Sequence, residues 1–383
     1  MILILVEASY ADSIWCINLL DGLTGRLKQK RLPYRQIASL DEAGPDSRYI
    51  YLIGSDNIWL EAALQSCNQA GLYPILLCNQ AYHTFDADYS TVCLDVVNSM
   101  RRLVEILSAR GLSRVALYGV NPQSVSDEAR QEGYLTARAR EGAGKGKSDV
   151  FFNNGSLENC FEIFLRRSGE YDAAICVNEF AAVSLARRLA RRDPERAKSL
   201  LIVSCADGWL SQFYEGRILA VKGNFAARAK AAVALLENLR KNPDLSHIIM
   251  TIRWDFSALQ PGAEGPHAPP QGQSYPPLPW IQDAFYEDSE LNEMMLVERL
   301  LRESTDLDRA LLWHLLQGEP YQKISEKCFL TESAIKYRIK KMVELCRVEG
   351  RQQLVALLNE YLPQPLPGGR EGLYPARRRR GGR

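Results

Sequence analysis

The sequence predicts an α/β protein with parallel sheets covered on both faces, followed by a small all-α unit near its carboxyl end. Three observations predict it. Residues 1 to about 256 alternate short apolar runs with amphipathic helical segments, a Pro/Gly/Gln-rich stretch runs from Ser257 to Pro279, and Asp306 to Leu358 carries helix-spaced apolar residues with a cationic face. Buried strands separated by helices imply parallel sheets. At 383 residues the chain exceeds one ordinary domain, so two or three cores are expected.

The apolar runs place strands at 2–7, 49–53, 74–78, 91–94, 114–119, 173–177, 200–204 and 248–253. Between them helical patterns fall at about 12–28, 58–70, 96–110, 126–138, 157–168, 179–191 and 225–240. Ile2-Leu3-Ile4-Leu5-Val6 lacks a basic lead and is too short for a signal peptide or a membrane span, so it reads as a first buried strand. A cytoplasmic protein with no membrane partner is the expectation. In parallel sheets ligands sit beyond the carboxyl ends of the strands. That rule points to the loops at Glu7–Tyr10, Ser55–Trp59, Tyr118–Ser126, Asn178–Glu179 and Asp207–Trp209.

Composition bounds the chemistry. The net charge of +1 conceals basic residues gathered in the C-terminal unit and in Arg377-Arg378-Arg379-Arg380, with Asp283, Glu287, Asp288, Glu290 and Glu293 ahead of them. Nine cysteines without a C-x-x-C pair read as reduced, buried thiols and not as a disulfide scaffold or zinc site. His83, His247, His267 and His314 have no metal-ligand spacing. Gly142 to Ser148 imitates a phosphate loop, but its glycine spacing is one residue short and a helix precedes it, so a surface turn is expected. No G-x-S-x-G turn and no G-x-G-x-x-G after a strand occurs. Neither a cofactor, a metal nor catalysis is expected.

Pro266, Pro269-Pro270 and Pro276-Pro277 mark a flexible or partly extended linker over 257–284. Glu290 to Arg302 follows as a helix burying Leu291, Met294, Met295, Val297 and Leu300-Leu301. Two roles stay open for it: docking on the C-terminal unit, or pairing with its copy in a dimer. Residues 363–383 are Pro/Gly/Arg-rich and expected to be disordered, with the arginine run adding non-specific attraction to phosphate.

The C-terminal unit, 285–362, carries the sharpest pattern. Leu311, Leu312, Leu315 and Leu316 share a helical face, Gly318 stops that helix, and Pro320 suits the first turn of a short second helix burying Ile324 and Cys328. Thr331 reads as the N-cap of a third helix whose buried stripe is Ile335, Ile339, Met342 and Val343. Lys336, Arg338, Lys340 and Lys341 are left on its other face. Two helices joined by a short turn, the second cationic, read as a helix-turn-helix; an ordinary helical hairpin with a solvated basic face is the bland alternative.

These residues resemble the C-terminal DNA-binding domain of LuxR-type regulators. The resemblance rests on Gln317-Gly318, Ile324-Ser325-Glu326-Lys327, Phe329-Leu330-Thr331-Glu332, Ile335-Lys336, Val348, Arg351 and Leu354-Val355, over about fifty residues. Pro320-Tyr321 and Ala334 depart from it. It implies that the helix from Thr331 to about Leu345 enters the major groove of double-stranded DNA as part of a homodimer. Lys336 is the residue most expected at the DNA. Arg338, Lys340 and Lys341 are candidates for phosphates, and Ser333 or Tyr337 for a base edge or sugar.

The first 256 residues resemble the two-lobed sensor domain of LacI/GalR-type repressors, which is periplasmic-binding-protein-like. The marks are Ser113 to Gly119, Val125-Ser126 with Arg130 and Gly133-Tyr134, Ala174 to Ala182, and Leu201 to Asp207. The resemblance implies a first lobe of about 1–110 with 222–243, and a second of about 112–220 with 248–256. By position it puts Arg130, Asn178 and Asp207 at a small-molecule effector, and one guanidinium, one amide and one carboxylate suit a sugar-like polyol. The bland alternatives are pairing of Arg130 with Asp127 or Glu132, helix capping by Asn178 and turn capping by Asp207. Tyr10, Ser55, Trp59, Ser126 and Trp209 lie in the same loops, the aromatics suited to stacking on a ring or to packing. Glu179 stands where the family has Asp, and Ser99 where it has Gly. The expectation is a transcription regulator, not an enzyme, that senses a small molecule and reads DNA. The alternative is a small-molecule binding protein with a helical protein-interaction appendage.

Overall fold

The structure is a computed structural model describing residues 1–8, 10–11, 13–54, 56–77, 85–122, 124–140, 149–214, 216–242, 244–259 and 288–363. The expected phosphate-loop mimic at 142–148, most of the 257–284 linker and the basic tail lie outside the described residues, as does Ser55.

Two parallel sheets form the first two-thirds of the chain. The first contains β1 (Ile2–Val6), β2 (Tyr34–Ile37), β3 (Tyr49–Ile53), β4 (Tyr73–Leu77), β5 (Ser90–Leu94) and β11 (Ile249–Ile252), in the order β11-β5-β4-β3-β1-β2. The second contains β6 (Val115–Val120), β7 (Val150–Phe152), β8 (Ala173–Cys176), β9 (Leu201–Ser204) and β10 (Ile218–Ala220), in the order β10-β9-β8-β6-β7. Central strands such as β3 and β6 are buried along their whole length, which is why they read as unbroken apolar runs. Tyr51 survives inside one because its hydroxyl donates to the Ala232 carbonyl at 3.0 Å.

On one face of the first sheet lie α1 (Ile14–Gln29) and α9 (Phe225–Lys241), and on the other α2 (Asn57–Gln69). The second sheet carries α3 (Val96–Ala109), α4 (Val125–Arg140), α5 (Leu157–Leu165), α6 (Glu179–Arg192), α7 (Pro194–Ser199) and α8 (Trp209–Gln212). Helices α3 and α4 cross at Gly133, where a Cβ would collide with the Val97 carbonyl oxygen and stand 2.9 Å from Met100 Cβ. Any side chain there would push the two helices apart.

The chain passes between the lobes three times: after β5, after β10, and after β11. At the second and third passages Lys222 and Asp255 pair as an antiparallel bridge. Two expectations are corrected here. The strand at 249–252 joins the first sheet beside β5, because its backbone groups complete that sheet's open edge; only Trp254 and beyond return to the second lobe, where Trp254 N–H donates to Ser99 Oγ at 3.4 Å. Helix α3, assigned to the first lobe, buries Met100, Leu103, Val104 and Leu107 in the core of the second. Ser257–Leu259 is a 3-10 turn with Leu259 buried, so the packed region extends past the expected start of the linker.

The C-terminal unit has five helices: α10 (Ser289–Glu303), α11 (Asp306–Leu316), α12 (Tyr321–Cys328), α13 (Glu332–Leu345) and α14 (Arg351–Tyr361). Thr305 and Asp308 form a capping box on α11. Helix α10, whose role was open, packs on α13 and α14 and equally on α6 and α8 of the second lobe. Its Glu290 pairs with Arg187 and, at 2.8 Å, with Arg188, while Glu360 of α14 pairs with Arg187 and Arg191. Leu291, Met294, Val297, Leu300 and Leu301 continue the second lobe's apolar interior into the helical unit without a break. Among the described residues no helix is long and apolar enough to cross a membrane.

Candidate functional site

In each sheet the first strand has the next two strands in sequence on opposite sides: β1 lies between β2 and β3, and β6 between β7 and β8. In parallel-sheet folds ligands sit beyond the carboxyl ends of the strands at such a point. Glu7 follows β1, Asn121 follows β6, Asn178 follows β8 and Asp207 follows β9.

On the second lobe, Arg130 is buried and donates from Nη1 to Ser126 Oγ at 2.9 Å and to Asp127 Oδ1 at 2.7 Å. The Asp127 carboxylate also accepts the Asn121 N–H at 2.9 Å, fixing the loop after β6. Burial pushes the Asp127 carboxyl up despite the opposing pull of Arg130, as desolvation here outweighs the ion pair. Asn178 caps α6, its side-chain oxygen accepting the Ala181 N–H at 2.9 Å. Asp207 is half-buried, and its carboxyl is pushed up by burial, with Lys222 acting against the shift.

On the first lobe, Tyr10 is buried and Trp59 half-buried, with the Trp59 ring lying close against Gly54 on the same side as the Glu7 carboxylate. Glu7 in turn accepts the Asp56 N–H at 3.1 Å. The lobes meet through Trp15 of α1 and Phe180 of α6, whose ring centroids are 6.4 Å apart. Trp209 is placed differently from the other aromatics. It is buried, and the face of its ring is covered by Arg309 from α11 at 4.6 Å.

Three groups outside the candidate site residues stand out. Glu179 is fully buried, neither carboxylate oxygen has a hydrogen-bond partner, and its pKa is pushed up to about 8 by burial, then by Glu298 and Asp207, with Arg130 opposing. Its only sequence signal is the Glu beside Asn178. Asn153, at the end of β7, is buried with its amide unpartnered. Glu298 comes from α10 and accepts the N–H groups of Trp209 and Leu210 at 2.7 and 2.6 Å. No local pattern could have announced that contact across 88 residues. Among the described residues no cluster suits a metal ion.

The second candidate surface is α13. Thr331 caps it, its hydroxyl accepting the Ala334 N–H at 3.2 Å. Ser333, Lys336, Tyr337, Lys340 and Lys341 are exposed. Lys336 and Lys340 make only solvent-exposed pairs, with Glu332 at 3.6 Å and Glu344 at 3.8 Å, which contribute little and yield readily to a phosphate. Arg338 is engaged inward with Asp308 at 2.8 Å and ties α13 to α11. The departure at Tyr321 has a visible consequence: its ring lies 4.7 Å from the Arg351 guanidinium and 5.8 Å from Lys336 Nζ. Phe329 is 93% exposed at a left-handed φ of 55° in the turn before α13. A groove of about 630 Å³ flanks the helix between Leu300, Leu330, Tyr337 and Leu345.

No family model matches this chain. No curated protein matches it either. Solved structures do. A transcriptional regulator CelR–cellobiose complex superposes with a TM-score of 0.54 at 15% identity, covering 66% of this chain and 82% of that one. The transcription regulator CcpA of Lactococcus lactis gives 0.53 at 16% identity, covering 67% and 96%. A LacI family transcriptional regulator from Enterococcus faecium with bound ribose gives 0.53 at 13% identity, covering 66% and 96%. The first two-thirds of the chain therefore has the two-lobed, periplasmic-binding-protein-like fold of LacI-type sensors, here followed by a helical unit.

Proposed function

We propose that the protein is a DNA-binding transcription regulator whose two-lobed domain senses a small molecule and whose C-terminal helix-turn-helix reads the major groove. The observation that carries this reading is α13, a Thr331-capped helix presenting Ser333, Lys336, Tyr337, Lys340 and Lys341 to solvent on a unit packed against the sensor fold. Double-stranded DNA is the partner that an exposed row of cations on a rigid helix fits. Arg338 acts chiefly in holding that helix to α11.

The effector is sugar-like in this reading, supported by the cellobiose and ribose named with similar folds and by the polar set Arg130, Ser126, Asn178 and Asp207 with Tyr10 and Trp59 opposite. Trp209 contributes by position, not by stacking. The regulator acts as a cytoplasmic homodimer on paired half-sites, without a cofactor or catalysis. The test is binding of the full chain to duplex DNA across a salt series. Salt-dependent affinity lost in a Lys336→Ala, Lys340→Ala double variant supports it; binding that is absent at low salt removes it.

A further inference from the structure

We propose that Glu298 is the residue that transmits the state of the cleft to the DNA-binding helices. This rests on reading the cleft as the effector site. Helix α8 begins two residues after Asp207, and Gly208 has no side chain to cap it. The cap comes from α10: Glu298 takes the Trp209 N–H on one oxygen and the Leu210 N–H on the other. Glu298 is itself 2% exposed, and its carboxylate contacts the space over Gly208 from one side while Glu179 contacts it from the other; a Cβ there would lie 3.0 Å from Glu298 Oε1 and 3.2 Å from Glu179 Cγ. Glu179 immediately follows Asn178. The two segments that carry the candidate effector contacts thus converge on one carboxylate of the helical unit.

Arg309 adds a second hold, stacked on the Trp209 ring and donating to the Leu301 carbonyl at 3.4 Å. At its other end α10 is anchored by Glu290 to Arg187 and Arg188, and Asp288 accepts the Leu157 N–H at 2.7 Å. The Glu298 end is held to α8 by the two hydrogen bonds to Trp209 and Leu210. An effector that draws Asp207 or Asn178 toward the first lobe moves α8 and the start of α6. Glu298 then travels with them, tilting α10 and the α13 that packs on it, or releases its two hydrogen bonds. An effector drives this only to the extent that it binds one arrangement better. The coupling is reciprocal, so DNA bound at α13 alters the cleft by the same factor.

The experiment uses the full chain and two substitutions, Glu298→Gln and Asp207→Asn, with amide hydrogen exchange as readout. Glu298→Gln is expected to speed exchange in 209–212 and 289–303 together. Asp207→Asn, which lies outside α10, is expected to change exchange in 289–303 and 332–345 as well as in 207–212. Exchange that changes in 207–212 alone overturns the proposal, and this arm stands if Glu298→Gln fails to fold. In a second arm, affinity for a random-sequence duplex is measured for each variant and for the pair. Single effects of about five-fold that do not multiply in the double variant are expected, and fully multiplicative effects overturn the relay. Failure of the wild-type chain to bind any duplex would remove the DNA-binding reading while the exchange result still decides the relay.

Discussion

The guanidinium of Arg309 lies 4.6 Å from the ring centroid of Trp209, joining α11 of the C-terminal helical unit to the start of α8. Both side chains are buried, and Arg309 also pairs with Asp306 at 3.2 Å. Replacing Arg309 with Met keeps volume but removes the cation–π contact and the hydrogen bonds. The expected cost is about 1–3 kcal/mol, read as a lower urea midpoint of the full chain. An unchanged midpoint would show that the contact is incidental.

Lys336→Ala is expected to weaken DNA binding and to lower the slope of log affinity against log salt by about one, without shifting Tm. Its only ion pair is exposed, so the fold does not depend on it.

Thr331→Ala removes the cap of α13 and should cost about 1 kcal/mol of stability. Because the same turn aims the helix, DNA affinity should fall with it, whereas Thr331→Ser should restore both. Circular-dichroism melts paired with binding curves check this.

Glu179 supplies a pH dependence whose sign is fixed. Its folded pKa of about 8 lies above the ordinary carboxyl value, so the folded chain holds a proton that the unfolded chain has released. The contribution to stability is full below about pH 4.5 and is lost as pH rises through about 8. Glu179→Gln should flatten the decline of stability between about pH 4.5 and 8, as measured by urea unfolding across that range. A wild-type curve already flat there would contradict the burial of this group.

Gly133→Ala should be among the most damaging small substitutions, because the added methyl meets the Val97 carbonyl and Met100 Cβ. Overpacking of that kind costs roughly 1–3 kcal/mol, visible as a drop in Tm.

Much of this architecture is readable from local pattern. Strands β3 and β6 are buried throughout and β1 all but Val6, and Asn178 and Thr331 announce their helices by capping chemistry. Strand β2 escapes because it is an edge strand with Arg35 and Gln36 exposed, so it lacks an apolar run. The lobe that claims β11 is decided by which sheet edge the returning chain meets, and nothing in Ile249–Ile252 encodes that. Likewise the pairs Arg187–Glu290 and Glu298–Leu210 join residues about a hundred positions apart, through packing that arises only once both elements exist. In the cleft, residue types were legible, and so was the pairing of Arg130 with Asp127, which the sequence offered beside effector contact because the two lie three residues apart on one helix.

The unbroken apolar interior that joins α10 to the second lobe means the C-terminal helical unit is not a bead on a string. Severing the chain near residue 285 would leave greasy wounds on both pieces, one around Trp209 and Leu210 and one along Leu291, Met294 and Leu301. Swapping in a foreign two-lobed domain would therefore demand that the donor also carry the seat for this helix.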